Sequence, residues 1–261
     1  LAISVSRGEH RWARGSSWIT TAWSPTETYD LVLDVAKGAK FDFDGLVQEV
    51  THASRWGRGA GIVKSGEGTV VLTADNAALY NPNLNNNRAY RAPTVVNDGL
   101  LLVNNTTGSG VSPRSTVEVN HGGTLGGSGA IGSGGTSAEV IVNAGGKITP
   151  GDGVGTLTLR DGLTLHDGAR LEFQVGDRAD MLRITGGTFR GAGKRGVVVT
   201  ILDAGGMARG KSYDIIDWTG ASFIDVDPSD FRLDKSHDWQ GSFQFNGTRL
   251  RFSVFAPRLT P

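Results

Sequence analysis

Cysteine is absent from this chain of 261 residues. Its absence excludes a disulfide framework, Cys-ligated zinc, iron–sulfur centres and thiol catalysis, so rigidity has to come from hydrogen-bond ladders. An excess of either charge is missing as well: 26 Lys and Arg balance 26 Asp and Glu, and there is no long basic run. Nucleic acid and anionic membrane surfaces are therefore not expected partners. No apolar run approaches the roughly 18 to 20 residues of a membrane span, and no charged-then-apolar leader is present. The chain opens on Leu1 instead of Met, so either a processed chain, its signal peptide already gone, or an excised piece is expected. Proline is scarce at 8 residues, and no apolar period near 3.6 is held for as many as 12 residues, so helix should be scarce too.

Glycine is plentiful, with 39 residues, about twice its usual share of roughly 7%. It falls where β-branched runs end. Four copies of one pattern, a β-branched run, a polar residue or two, a Gly-rich corner and a second run, lie between residues 94 and 175: TVVNDGLLLVNN, STVEVNHGGTLGGSG, EVIVNAGGKITPG and GTLTLRDGLTLHDGARLEFQV. Counted from Val95, Val117, Val140 and Leu157, the copies are 22, 23 and 17 residues apart, close to one coil of a β-solenoid. Val117, Val119 and Leu125 should point inward with Glu118 outward, and Val140 and Val142 should repeat this one coil later. Asn97, Asn120 and Asn143 occupy one place after successive strands and should stack at a corner.

One domain is expected, in three stretches. Residues 1–60 hold four of the six tryptophans and read as a cap, docking segment or opening coil. Residues 61–175 carry the repeats, with an insertion at 78–93 that contains five Asn and reads as a projecting polar loop. Residues 176–261 should continue and close the solenoid, ending in a hairpin signalled by Asn246-Gly247.

GEGTVVLTADN (66–76), TVVNDGLLLVN, STVEVNHGGTLGGSGAIG, VIVNAGGKITPGDGVGTLTL and DMLRITGG (180–187) resemble the autotransporter-associated β-strand repeat over roughly half the chain. The resemblance implies a right-handed parallel β-helix, export across a bacterial envelope, and a structural or adhesive role outside the cell or at its surface. Two features depart from the pattern. The C-terminal outer-membrane barrel of autotransporters is not in this sequence, and FSVFAPRLTP (252–261) shows no sorting helix.

Catalytic signals are weak. The five histidines, His10, His52, His121, His166 and His237, fall in separate segments without ligand spacing, and there is no G-x-S-x-G elbow. No cofactor or bound metal is expected. Asp225, Asp227 and Asp230 could offer oxygen ligands to Ca²⁺, but they lack the Gly and terminal Glu of an EF-type loop, so a solvated turn is expected. Asp177 with Asp180 is a weaker acidic pair. A polysaccharide lyase or hydrolase would need Arg55, Arg58, Arg88, Tyr90 and Arg91 to converge on one face.

The reading that follows is a non-enzymatic extracellular subunit whose partner is itself, with Trp12, Trp18 and Trp23 either docking into a neighbour or capping their own solenoid. The alternative is a surface adhesin or glycan-binding module. It would take a polysaccharide or host surface on the insertion, with Tyr80 and Tyr90 stacking on a sugar while Asn83, Asn85 and Arg88 bind its hydroxyls.

Overall fold

The structure is a computed structural model and describes residues 2–12, 17–21, 30–50, 61–79, 89–135, 138–193, 196–235 and 239–255. It is a parallel β-helix. Successive coils place one strand on each of two faces and so build two nine-stranded parallel sheets. The first sheet runs from Ala2–Val5 through Leu31–Val35, Ile62–Ser65, Thr94–Val96, Val117–Val119, Val140–Val142, Leu163–Leu165 and Thr188–Arg190 to Ser222–Ile224. The second runs from Glu9–Trp12 through Lys40–Phe43, Thr69–Leu72, Gly99–Val103, Gly123–Gly127, Lys147–Pro150, Arg170–Val175 and Val197–Asp203 to Phe231–Leu233. Four of the six strands within 1–60 thus belong to the same two sheets as the repeats.

A third face is less regular. Ser17–Thr21 pairs with Leu46–Val50 near the first coils. Later coils supply Ala130–Ile131, Thr156–Leu159, Met181–Ile184 and Ser212–Asp217, and the antiparallel pair Arg249–Val254 and Gly241–Phe245 extends this sheet. The only helical turns among the described residues are 3-10, at Asn76–Leu79 and Pro228–Asp230.

Alternation along each strand makes the core. Val117, Val119, Leu125, Val140, Val142 and Ile148 are all fully buried, while Glu118 between its neighbours faces out, as expected of a pleated strand with one packed face. The repeat phase differs from the sequence expectation. Thr94, not Val95, is in register with Val117, and Leu163, not Leu157, follows Val140, giving an even 23-residue step through Thr94, Val117, Val140 and Leu163. Leu157 lies on the third face of the coil that Val140 opens, so its apolar run is a continuation of that coil.

The asparagine row forms. Asn120 donates from Nδ2 to Asn97 Oδ1 at 2.8 Å, and Asn143 donates to Asn120 Oδ1 at 2.7 Å. The glycines after it are required by close approach: a Cβ on Gly123 would run into the Val96 carbonyl oxygen, and one on Gly146 into that of Val119. Asn120→Ala should cost about 1–2 kcal/mol, since it removes two amide bonds that are half-exposed. Asn97→Ala and Asn143→Ala each break one of these bonds. Equal losses for all three variants in urea titrations would show that the row carries no such coupling.

Where the third face has no strand, side chains take over the ladder. Asn76 accepts from Val47 N–H and donates to the Gly110 carbonyl, both at 2.9 Å, tying three coils together. Asn105 Oδ1 accepts from Ala130 N–H at 3.0 Å, and Ser109 Oγ from Gly132 N–H at 2.9 Å. These amides are buried because every backbone group on that wall still needs a partner.

The closing hairpin is one residue out of phase with the sequence signal. Asn246 N–H donates to the Arg249 carbonyl at 2.9 Å, which makes Gly247-Thr248 the two-residue loop. Gly247 has φ of 61°, as a first central position of a type II′ turn requires.

Candidate association surface

The ionisable groups drawn into the wall are engaged in structural bonds. Lys64 is fully buried at an inward position in register with Leu33 and Val96. Its Nζ donates to the carbonyls of Ser65 at 2.8 Å, Gly66 at 2.5 Å and Asp98 at 3.0 Å. Burial pushes its pKa down to about 8, against the pull of the Asp98 and Asp34 carboxylates. Asp180 is also fully buried, accepting from Gly155 N–H at 2.8 Å and Gln174 N–H at 2.7 Å. Burial raises its pKa, opposed by those two backbone bonds. The Asp177–Asp180 pair therefore includes one carboxylate that fastens neighbouring coils.

The Asp225, Asp227 and Asp230 segment is a capped turn. Asp227 accepts from Ser229 N–H, and Asp230 accepts from Asp227 N–H, both at 2.8 Å, forming a capping box on Pro228–Asp230. Asp225 has φ of 53°, the only positive value at a non-glycine among the described residues. No group of three or more His, Asp or Glu among the described residues is arranged to hold a metal ion.

The sugar-stacking role drawn for Tyr90 is overturned. Its side chain is fully buried, its hydroxyl lies 2.6 Å from Thr94 Oγ1, and Ser112 Oγ donates to its carbonyl at 2.5 Å. Burial pushes its phenol pKa up to about 12. Ala89 and Tyr90 are part of the wall, so this ring fills the core and cannot reach a ligand. Tyr80, Asn83, Asn85 and Arg88 lie outside the described residues, as do Arg55, Arg58 and Trp23. Trp12 is half-buried in register with Phe43, their rings 6.0 Å apart. Trp18 pairs across from Val47.

A different surface emerges at the far end of the solenoid. Six of the ten phenylalanines follow residue 217, and together with Trp218 they plug the last coils. Trp218 is 2% exposed and meets Phe189, Phe223 and Phe245 at ring separations of 5.8, 6.0 and 5.1 Å. Phe243 reaches Phe252 at 5.4 Å and Phe231 at 6.2 Å, so the hairpin partly covers this end. Phe223 is nevertheless 54% exposed, although its register partner Phe189 is fully buried. It continues an inward row on the last strand of its sheet among the described residues. Ile224 and Phe255 are exposed too, at 42% and 49%. A shallow cleft of about 560 Å³ opens between Leu233, Trp239, Gly241 and Phe255.

Both long sheets also end in strands with an unpaired outer edge among the described residues: Ala2–Val5 and Glu9–Trp12 at the head, Ser222–Ile224 and Phe231–Leu233 at the tail. The sequence weighted the head for its tryptophans and led us to expect a tail closed by its hairpin, but the hairpin extends only the third face. The signal that could have found the tail surface was the phenylalanine density after residue 217. No described helix is long and apolar enough to cross a membrane. No family model matches this chain, and no curated protein matches it either.

Proposed function

We propose that this chain is a non-enzymatic structural subunit, exported by a bacterium and assembled from copies of itself into a filament or layer outside the cell or at its surface. The observation that carries the reading is that the first and last strands of both parallel sheets have no strand neighbour on their outer side among the described residues. Such edges are templates for strand addition, and isolated β proteins usually charge, bulge or cover them. Exposed Phe223 and Ile224 on the last strand of the first sheet add apolar area that a neighbour would bury. A formal net charge of zero supplies no long-range repulsion to keep copies apart. Export and bacterial origin rest on the likeness of the repeats to the autotransporter-associated strand repeat.

Negative-stain electron microscopy over a concentration series, checked by sedimentation, tests the reading. Ordered filaments or sheets that lengthen with concentration are expected. Dispersed particles at every concentration would remove self-assembly as the function.

A further inference from the structure

We propose that copies of this chain stack head to tail, Glu9–Trp12 of one copy adding in parallel to the outer edge of Phe231–Leu233 of another, in the register the second sheet already keeps. The inference rests on the self-association reading and adds polarity and register to it. Two outward rows of the second sheet carry the argument. One begins Glu9, Lys40 and ends Arg170, Val198, Arg232. The other begins Arg11, Asp42 and passes Glu172 and Thr200. Asp234 extends this second row, because its N–H bonds the Val199 carbonyl at 2.7 Å and so holds the strand's register one residue further.

Continuing both rows into a new copy sets Glu9 against Arg232 and Arg11 against Asp234. The signs then alternate through the junction: Arg232, Glu9, Lys40 in one row and Asp234, Arg11, Asp42 in the other. Asp234 already pairs with Arg170 at 3.1 Å, and Lys40 with Asp42 at 3.1 Å, so the incoming charges join existing networks. Glu9, Arg11 and Arg232 are exposed, Arg11 with its guanidinium 3.8 Å from the Asp44 carboxylate.

The first sheet agrees with this alignment. Its outward row through Val32, Val63, Val95, Glu118, Ile141, Thr164 and Arg190 begins at Ala2 and ends at Ile224, so the same junction lays Ala2 over exposed Ile224. A head-to-tail contact also repeats the parallel geometry of every pairing within these two sheets. The third face does not continue, because Gly241–Phe245 already stands beyond Arg249–Val254 there. The junction is therefore made by two faces, and Ser17–Thr21 of the incoming copy has to lie outside the hairpin.

Two charge reversals on exposed side chains, Glu9→Arg and Arg232→Glu, test the register in the whole chain. Unchanged circular dichroism and melting temperature would establish that each variant folds. Each variant alone is expected to raise the concentration for half-maximal assembly about tenfold or more, from like charges meeting at the junction. An equimolar mixture of the two should assemble at the parental concentration, since every junction can then pair opposite charges. Variants that assemble like the parent, a loss confined to one variant, or a mixture that stays dispersed would each overturn the register while leaving self-association standing. A parental chain that never assembles would overturn both.

Discussion

Trp218→Ala should lower stability by about 3–5 kcal/mol, the range for emptying a large buried aromatic site. The indole is 2% exposed and touches rings from three elements: Phe189 in the eighth strand of the first sheet, Phe223 in the ninth, and Phe245 in the hairpin. Its removal therefore unfastens the last two coils from the strand pair that covers them. In a stacked array each coil is held by its neighbours, so the damage should stay near the tail. Hydrogen exchange is expected to show lost protection in Ser212–Asp217, Ser222–Ile224 and Gly241–Phe245, with Val117–Val119 and Val140–Val142 still protected. Uniform loss across the middle coils would mean that the solenoid unfolds as one unit. A cost under about 1 kcal/mol would deny the aromatic cluster its role as a plug.

Lys64→Met gives the second large effect, and its pH dependence identifies the cause. The variant takes a donor from three corner carbonyls, at about 1–3 kcal/mol for each buried acceptor left without a partner and less where the corner relaxes. Burial depresses the folded pKa of Lys64 from 10.5 to about 8, so above pH 8 the unfolded chain holds a proton that the folded chain has released. Stability from this group is then fully present above pH 10.5 and lost as pH falls through 8. The parent's advantage over Lys64→Met should grow between pH 8 and 10.5 by about 2–3 kcal/mol, because each pH unit between the folded and unfolded values is worth roughly 1.4 kcal/mol. Urea unfolding of both proteins across that window checks it. A flat difference would mean that the ammonium is as well solvated in the fold as outside it.

Much of the fold is legible in the residues because a parallel β-helix repeats its environment from coil to coil. Val117 and Val119 around Glu118, the Asn97, Asn120 and Asn143 row, and the glycines at 123 and 146 each report a position that recurs, and recurrence is visible in a single sequence. The phase of the repeat was harder. An apolar run such as Thr156–Leu159 looks the same on the first face as on the third, so Leu157 reads as the start of a copy when it sits inside one. Tyr90 shows the limit of composition: a tyrosine beside an Asn-rich loop reads as a surface residue, yet Thr94 and Ser112 satisfy its polar atoms and let the ring fill the core. Lys64 drew no reading from the sequence, since no local pattern announces that three carbonyls wait at an inward corner. The ends were the least legible. A residue such as Phe223 has the sequence character of a core position, and only the structure shows it half-exposed on the last described strand of its sheet.

The equal step through Thr94, Val117, Val140 and Leu163 bears on how such a gene changes. A slip of one residue inside a strand would turn that strand inside out, whereas extra residues at a corner, as in the 32-residue step from Ile62 to Thr94, leave the later rows in place. An in-frame duplication of one whole 23-residue coil also keeps every row, and it extends the Asn row by one member. The middle of this protein is thus the part where a whole coil can be added or removed with each row kept.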